Sequence, residues 1–149
     1  MSAITLTQTE ADALLKIAKI RADDQEWLYP GLAGSLSIPL LSHDKRENFL
    51  LDISRARIVM LRGKYQMRAR NALVLARLDF GGPPHRNPDG AEFPCPHLHL
   101  YREGLGDKYA VPIPAAAFPN LSDLWQTLHD FMRFCNVTEP PRIRRGLWS

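Results

Sequence analysis

Two histidines alternate with two leucines in a short segment that ends in Tyr101, and these residues are the first candidates for chemistry. Successive side chains of a β-strand point to opposite faces. The spacing therefore predicts that His97, His99 and Tyr101 share one face while the leucines face the core. An imidazole can accept or release a proton near neutral pH, so two of them on one face could act on a phosphate as general acid and general base.

Three interpretations of these histidines are open. In the first, His97 and His99 transfer protons or position a substrate, and His85 of the preceding loop joins them as a third catalytic candidate. In the second, His85, Cys95, His97 and His99 supply nitrogen and sulfur ligands to a transition metal, with zinc favoured by the ligand types. In the third, the histidines are structural groups, hydrogen-bonded on a half-exposed strand. The first interpretation is preferred and requires no metal or other cofactor.

A basic segment supplies groups that could hold a phosphate. Residues 44–72 carry eight basic and three acidic side chains, whereas the net charge of the whole chain is +3. Alternation along a strand over Lys64–Arg70 turns its basic residues to one face, where guanidinium groups match phosphate oxygens and a tyrosine offers a stacking surface. This face is expected to bind RNA or another phosphate-rich ligand. The candidate binding residues are Lys64, Arg68, Arg70, Arg77, Tyr101, Lys45 and Arg46.

Length and composition exclude several classes of protein. The 149 residues, 45% hydrophobic and 23% charged, are expected to form one domain over 1–149. The longest apolar run spans the five residues 72–76, whereas a transmembrane helix needs about 20, so no membrane association is expected. Only two cysteines are present, which favours the cytoplasm. The absence of P-loop, dinucleotide, serine-elbow, HExxH and EF-hand motifs disfavours most kinases, dehydrogenases, serine hydrolases and metalloproteases.

The hydrophobic pattern predicts which elements position the candidate residues. A capping-box pattern at Thr7 and Glu10 precedes helical spacing and predicts a helix over about 8–21. A second apolar stripe predicts a helix from about Leu121 to Asn136. The expected class is α+β, a meandering, mainly antiparallel sheet of about five to seven strands with a helix near each end. The strands are expected at 36–41, 48–53, 57–61, 64–70, 73–79, 97–102 and 108–113.

The connection from Phe80 to Pro96 is long and unusual in composition. Its 17 residues include three glycines and five prolines. Ordinary loops have about 4 to 6 residues, so a loop of this length is expected to be functional. Within it, Asn87–Gly90 has the residues of a type I turn, which indicates order. At the other end of the chain, residues 140–149 contain two prolines and three arginines and are expected to form a basic arm.

The motifs RLDFGGPPHRNPDG and PCPHLHLYREG, within residues 44–136, resemble those of a family of small bacterial proteins of unknown function that is associated with mobile elements. More loosely, the sequence is similar to the TumE-type toxins of toxin–antitoxin pairs. That likeness implies a ribonuclease and a protein antitoxin as its partner. The residues that match the toxin pattern are Arg77, Asp79, His85, His97 and His99.

These patterns lead to two hypotheses about function. The first is a small cytoplasmic protein that binds RNA or phosphate and acts as a toxin-like, metal-independent ribonuclease through histidines on a basic sheet face. The alternative is a non-catalytic phage or mobile-element inhibitor, or an adaptor, that binds a nucleic-acid-handling protein through the same charged face. An enzyme should require particular histidines, whereas a binding protein should tolerate their loss.

Overall fold

Two helices and twelve strands make up the part of the chain that the computed structural model describes, residues 5–58 and 61–146. The helices are α1 (Gln8–Lys16) and α2 (Leu124–Phe134). The strands are β1 (Lys19–Arg21), β2 (Glu26–Leu28), β3 (Ser35–Ser42), β4 (Asn48–Arg55), β5 (Gly63–Ala69), β6 (Leu73–Phe80), β7 (His85–Arg86), β8 (Glu92–Phe93), β9 (His97–Leu100), β10 (Ala110–Val111), β11 (Val137–Glu139) and β12 (Arg142–Arg144).

Eight of these strands form one mainly antiparallel sheet in the order β10-β9-β6-β5-β4-β3-β1-β11. Strands β3 to β6 follow one another as an antiparallel meander, and β9 continues it beside β6. Only β11 runs parallel to its neighbour in this sheet, β1. Two small ribbons, β7–β8 and β2–β12, complete the architecture. The expected α+β class, with helices near both ends of the chain, is confirmed.

The core lies on one face of the sheet, where α2 packs. Alternate residues of β5, Tyr65, Met67 and Ala69, are fully buried there, together with Leu128 and Phe131 of α2. This is the alternation that the sequence predicts for β5. On the opposite face the side chains over β3 to β5 are half-buried or exposed, and all but Pro39, Leu41 and Leu50 are polar. An antiparallel sheet can leave one face to solvent in this way, and the candidate site lies on that polar face.

Helix α1 begins as predicted and ends earlier. The Thr7 hydroxyl accepts a hydrogen bond from Glu10 N–H, and the Glu10 carboxylate accepts one from Thr7 N–H, so the capping box is confirmed. The helix stops at Lys16 instead of residue 21, because Lys19–Arg21 pair with β3 as strand β1. Helix α2 shows the predicted apolar stripe and is capped by Asp123, whose carboxylate accepts a hydrogen bond from Gln126 N–H.

Two predicted strands differ in the structure. Within 57–61, Arg57 and Ile58 form a bend and Leu61 a turn, while residues 59 and 60 lie outside the described part of the chain. This segment connects β4 to β5, and the connection is closed by a hydrogen bond from Ala56 N–H to Arg62 O (2.8 Å). The strand expected over 108–113 is limited to Ala110–Val111, because Pro112 has no N–H to continue the ladder.

The long loop and the tail are both ordered by strand pairing. Residues 85–86 and 92–93 form the β7–β8 hairpin, whose turn is closed by a hydrogen bond from Gly90 N–H to Asn87 O (2.9 Å). Gly90 has a φ of 91°, which glycine adopts without steric cost. In the expected basic arm, Arg142–Arg144 instead pair in parallel with β2, and Ile143 packs against the core. Neither helix has the length and apolar character that a membrane span requires, over the residues described.

Candidate functional site

Two rows of polar residues cross the open face of the sheet from β4 to β9. Each row consists of direct cross-strand neighbours, so its side chains share a face. The register places Asp79 of β6 between Lys64 of β5 and His97 of β9, and Arg77 between Gln66 and His99. The predicted facing of His97 and His99 away from Leu98 is therefore confirmed. The rows read Ser54, Lys64, Asp79, His97 and, beside it, Asp52, Gln66, Arg77, His99.

A cleft of about 350 Å³ lies along the first row, all four members of which line it, near the point where β6 passes into the long loop. Between the lining residues Phe80 and Gly82, Gly81 has a φ of 69° and lies so close to the backbone of Leu61 that a Cβ would overlap the Leu61 carbonyl oxygen. Residues of β4, β5, β6, β9 and both adjoining connections line the cleft. Its polar lining residues are Ser54, Arg55, Arg62, Lys64, Asp79, His85, Cys95 and His97.

The β7–β8 ribbon places His85 over the other two histidines. The His85 ring lies 4.5 Å from the ring of His99 and 5.7 Å from that of His97, centroid to centroid. His85 Nε2 is 2.8 Å from the carbonyl oxygen of Lys108. A carbonyl oxygen can only accept, so Nε2 carries the hydrogen in this contact. In the neutral ring, Nδ1 is consequently the basic nitrogen of His85.

His99 is fully buried and both of its ring nitrogens are engaged. Nδ1 lies 2.8 Å from the carbonyl oxygen of Asp107, to which it donates, and Nε2 lies 3.2 Å from Arg77 Nη2, from which it accepts. Burial, reinforced by the positive charge of Arg77, lowers the pKa of His99 to about 4. His99 is thus a neutral imidazole at pH 7. It is placed to support the cluster and does not line the cleft.

Arg77 is enclosed by carboxylates. Its Nε lies 2.8 Å from Asp79 Oδ1, its Nη2 lies 3.2 Å from Asp79 Oδ2, and its Nη1 lies 2.5 Å from Asp107 Oδ2. The predicted role of Arg77 as a phosphate ligand finds no geometric support, because the edges of its guanidinium group already face Asp79, Asp107 and His99. Arg77 instead fixes the orientation of the Asp79 carboxylate.

His97 differs from His99 in that only one of its ring nitrogens is engaged. It is 5% exposed and lines the cleft. Its Nε2 lies 3.4 Å from Asp79 Oδ2, and its buried Nδ1 has no hydrogen-bond partner among the residues that the structure describes. A carboxylate beside one ring nitrogen orients the ring, as in acid–base dyads. The geometry makes His97 and Asp79 such a pair, with the His85 ring 5.7 Å from the His97 ring.

The predicted binding residues do not form one continuous basic surface. Arg68 donates two hydrogen bonds to Asp52, at 2.5 and 2.8 Å, and Arg70 donates two to Glu47, at 2.9 and 3.1 Å. Only Lys64 of the predicted β5 residues borders the cleft. Because six residues of a strand span about 20 Å, Arg70 lies far from it.

The remaining predicted ligands lie elsewhere. Lys45 and Arg46 belong to the turn between β3 and β4, at the Arg70 end of the sheet. Tyr101 is buried, and its hydroxyl group bonds to both the N–H and the carbonyl oxygen of Leu6. Its ring is part of the core, so it does not offer the expected stacking surface.

The four predicted zinc ligands do not converge. Among the described residues, the group whose ligand atoms lie within 4.8 Å of one another is Asp79, His97 and His99. His85 directs Nε2 at Lys108, and Cys95 Sγ accepts a hydrogen bond from Gly82 N–H (3.1 Å). Arg77 donates hydrogen bonds to two members of this group, Asp79 and His99. Its guanidinium group therefore competes with a cation for their ligand atoms.

Two residues of the site, Arg62 and Asp107, are not predicted by the sequence. Arg62 is not among the binding residues predicted from the sequence, yet it lines the cleft beside Lys64. Residues 53–78 include seven basic and no acidic residues, and this imbalance could have indicated Arg62. Asp107 is likewise not among the residues predicted from the sequence. Its role depends on where a backbone carbonyl oxygen meets His99, and no local pattern signals that.

Fold and site together define a small α+β protein with a histidine–aspartate cluster beside a basic cleft. The model of a family of unknown function, DUF6978, matches residues 6–137. The chain belongs to this family, which confirms the expectation of a family without an assigned function. No curated protein and no solved structure matches the chain.

Proposed function

We propose that this protein binds RNA in the cleft beside His97 and cleaves it without a metal ion, as a toxin-like ribonuclease of the cytoplasm. The observation that carries the proposal is the grouping of His85, His97 and Asp79 with Arg62 and Lys64 around one cleft. Two imidazoles and two cations in one cleft are the groups that phosphodiester cleavage requires: a base, an acid and a site for the phosphate charge.

The cleft favours an anionic ligand. The charged side chains lining it are Arg55, Arg62, Lys64 and Asp79, so three of the four are cations. Arg62 and Lys64 are exposed, and neither forms an ion pair with a residue in the described part of the chain. These two side chains are therefore the proposed phosphate ligands.

The geometry suggests that His85 acts as the general base and His97 as the general acid. His85, with Nδ1 as its basic nitrogen, takes the proton from the ribose 2′-hydroxyl group, and the 2′-oxygen then forms a bond to phosphorus. The bond from phosphorus to the 5′-oxygen breaks, and His97, oriented by Asp79, gives its proton to that leaving oxygen. The products are a 2′,3′-cyclic phosphate and a 5′-hydroxyl end, so the reaction consumes no further reactant. His99 holds Arg77 and transfers no proton.

Two further features support this assignment. Of the five residues that resemble the pattern of TumE-type toxins, Asp79, His85 and His97 line the cleft, while Arg77 and His99 do not line it and contact Asp79 and each other. Both cysteines, Cys95 and Cys135, are free thiols, as expected for a protein of the reducing cytoplasm. An origin in mobile elements and a protein antitoxin that blocks the cleft are part of the same proposal.

The test is cleavage of a defined single-stranded RNA by the purified chain and by His85→Gln and His97→Gln variants. Each variant should bind RNA within a few fold of the unmutated chain and lose about 10²- to 10⁴-fold in cleavage rate. A 2′-deoxy nucleotide at the cleaved position should block the reaction, and a chelator should leave it unchanged. His43→Gln is the matched control, since His43 is exposed in the turn between β3 and β4.

A specific observation favours a second candidate, the non-catalytic inhibitor or adaptor. Ile58 and Leu61 are 80% and 57% exposed on the β4–β5 connection, beside the exposed Arg57 and Arg62. Exposed apolar groups ringed by charge are typical of protein interfaces. The alternative replaces the ribonuclease if two results are obtained together. The protein cleaves no RNA, and its expression inhibits cell growth whereas expression of an Ile58→Ser, Leu61→Ser double variant does not. Full cleavage by both histidine variants would also refute the catalytic assignment.

A further inference from the structure

The Asp79–His97–His99 cluster has the donor set of a divalent metal site. It offers two imidazoles and one carboxylate, and their ligand atoms lie within 4.8 Å of one another. The distance from Asp79 Oδ2 is 3.4 Å to His97 Nε2 and 3.6 Å to His99 Nε2. A tetrahedral zinc ion with nitrogen and oxygen ligands at about 2.0–2.2 Å separates its ligand atoms by about 3.4 Å. The two separations from Asp79 therefore already match such an ion, and the nitrogens of His97 and His99 lie within 4.8 Å of each other.

The surroundings of His99 also match those of a metal ligand. Its Nδ1–H donates to the carbonyl oxygen of Asp107 (2.8 Å), which fixes the tautomer and leaves the lone pair on Nε2, 3.6 Å from Asp79 Oδ2. Metal-binding histidines commonly have their second nitrogen held in this way. His99 is fully buried, so this hydrogen bond does not serve to present its ring to the cleft.

A guanidinium group holds the position that an ion would need. Arg77 Nη2 lies 3.2 Å from His99 Nε2 and 3.2 Å from Asp79 Oδ2. The single lone pair of His99 Nε2 is used by this hydrogen bond, so it is not free to bind a metal. A divalent cation beside the guanidinium group would in addition be repelled by its charge. Asp107, whose carboxylate binds Arg77 Nη1, keeps the arginine in place.

We propose that Arg77 takes the place of a metal ion in this cluster, and that removing its positive charge uncovers a site for a divalent transition metal on Asp79, His97 and His99. The ligand class is an ion that prefers nitrogen and oxygen donors in tetrahedral geometry, such as Zn²⁺ or Co²⁺. This inference does not depend on the proposed ribonuclease activity, because it concerns metal affinity alone.

The experiment is a Co²⁺ titration of the full chain, followed by visible absorption, which reports tetrahedral coordination. Arg77→Ala should bind one Co²⁺ per chain with an affinity about 10- to 100-fold above that of the unmutated chain. Arg77→Lys keeps the charge and should behave like the unmutated chain. Arg68→Ala is the matched control, since Arg68 is also an ion-paired arginine of the open face but contacts Asp52 instead of the histidines.

Each outcome decides the proposal. Equal Co²⁺ affinity of the unmutated chain and Arg77→Ala would show that the guanidinium group does not exclude a metal ion from the cluster. A folded Arg77→Ala chain that binds no Co²⁺ would show that the cluster is not a latent metal site, as would undiminished binding after adding Asp79→Asn to Arg77→Ala. Arg77→Gln is a second neutral variant, to be used if Arg77→Ala does not fold. For both neutral variants Zn²⁺ should raise the melting temperature, and the absence of that rise would count against the proposal.

Discussion

Asn87 pairs with Ala110 as if it were a residue of a neighbouring strand. The Asn87 side chain donates from Nδ2 to the carbonyl oxygen of Ala110 (2.8 Å) and accepts at Oδ1 from the N–H of Ala110 (2.8 Å). Both residues are buried. This double hydrogen bond fastens the long glycine- and proline-rich loop to edge strand β10, and thereby holds His85, two residues earlier, over the cleft.

The first prediction concerns this fastening. Asn87→Ala should lower the free energy of unfolding by about 2 kcal/mol, because two buried backbone groups of Ala110 lose their partners. Chemical denaturation measures the loss, and amide hydrogen exchange at Ala110 should accelerate. Asn48→Ala is the control, since Asn48 is exposed at the start of β4. Equal stability of the two variants would contradict the role given to Asn87.

The second prediction is a pH dependence that arises from His99. Its pKa is about 4 in the folded chain, against an ordinary 6.5. Between these values the unfolded chain binds a proton that the folded chain does not, so the free energy of unfolding falls as the pH falls from 6.5 to 4. For a fully buried group the total is about 3 kcal/mol. His99→Asn, which keeps a donor for the Asp107 carbonyl oxygen, should remove this contribution.

The measurement is urea unfolding at several pH values in that window. Carboxylates also titrate there, so the quantity of interest is the difference in slope between the unmutated chain and His99→Asn. His43→Asn is expected to keep the full slope. If His99→Asn loses stability on acidification as steeply as the unmutated chain, His99 is not the neutral buried group that its contacts indicate.

The third prediction concerns Lys19, which is fully buried. Its Nζ donates to the carbonyl oxygens of Leu15 (2.8 Å), Ile17 (3.0 Å) and Cys135 (2.7 Å), and so joins the C-terminal ends of α1 and α2. Lys19→Met keeps the apolar stem but leaves these acceptors unpaired. The free energy of unfolding should drop by about 3 kcal/mol.

Equilibrium denaturation compares this variant with Lys16→Met, in which an exposed lysine of the same segment is replaced. The Lys16 variant should differ from the unmutated chain by less than about 0.5 kcal/mol. A Lys19 variant as stable as the Lys16 variant would show that the three carbonyl contacts contribute nothing to the docking of the helices.

Local pattern predicted most of the fold. Alternation in 64–70 and 97–102 gave the facing of Tyr65, Met67 and His97, since a two-residue period is a property of the strand itself. It also led to a wrong end for α1, because the apolar spacing at 8–21 continues past Lys16 while the pairing of β1 with β3 requires a distant partner. Lys19 gave no signal at all, because its three acceptors come from two separate helices.

The site was predicted less completely than the fold. The grouping of His97 with His85 follows from a ribbon inside a loop, and such a ribbon is not visible as hydrophobic periodicity. The basic face was overestimated, because a sequence gives the number of charges but not their partners. Arg68 and Arg70 are bound to Asp52 and Glu47, which lie 16 and 23 residues away in the sequence.

The last prediction separates paired from unpaired cations in RNA binding. Arg62 and Lys64 border the cleft, whereas Arg68 and Arg70 already hold carboxylates. Each phosphate contact on a single strand contributes about 0.7 to the slope of log K against log salt concentration. The double variant Arg62→Gln, Lys64→Gln should therefore reduce that slope by about 1.4. The charge-matched double variant Arg68→Gln, Arg70→Gln should leave it nearly unchanged.

Binding of a short single-stranded RNA, measured by fluorescence anisotropy at four or more salt concentrations, gives both slopes. Because the two variants lose the same net charge, a long-range effect of charge alone would lower both slopes equally. A difference between the two slopes can arise only from the positions of the replaced cations on the sheet. If the Arg68 and Arg70 variant loses as much slope as the other, RNA follows the length of β5 and the cleft is not its binding site. If neither slope changes, the protein does not bind RNA through this part of the sheet.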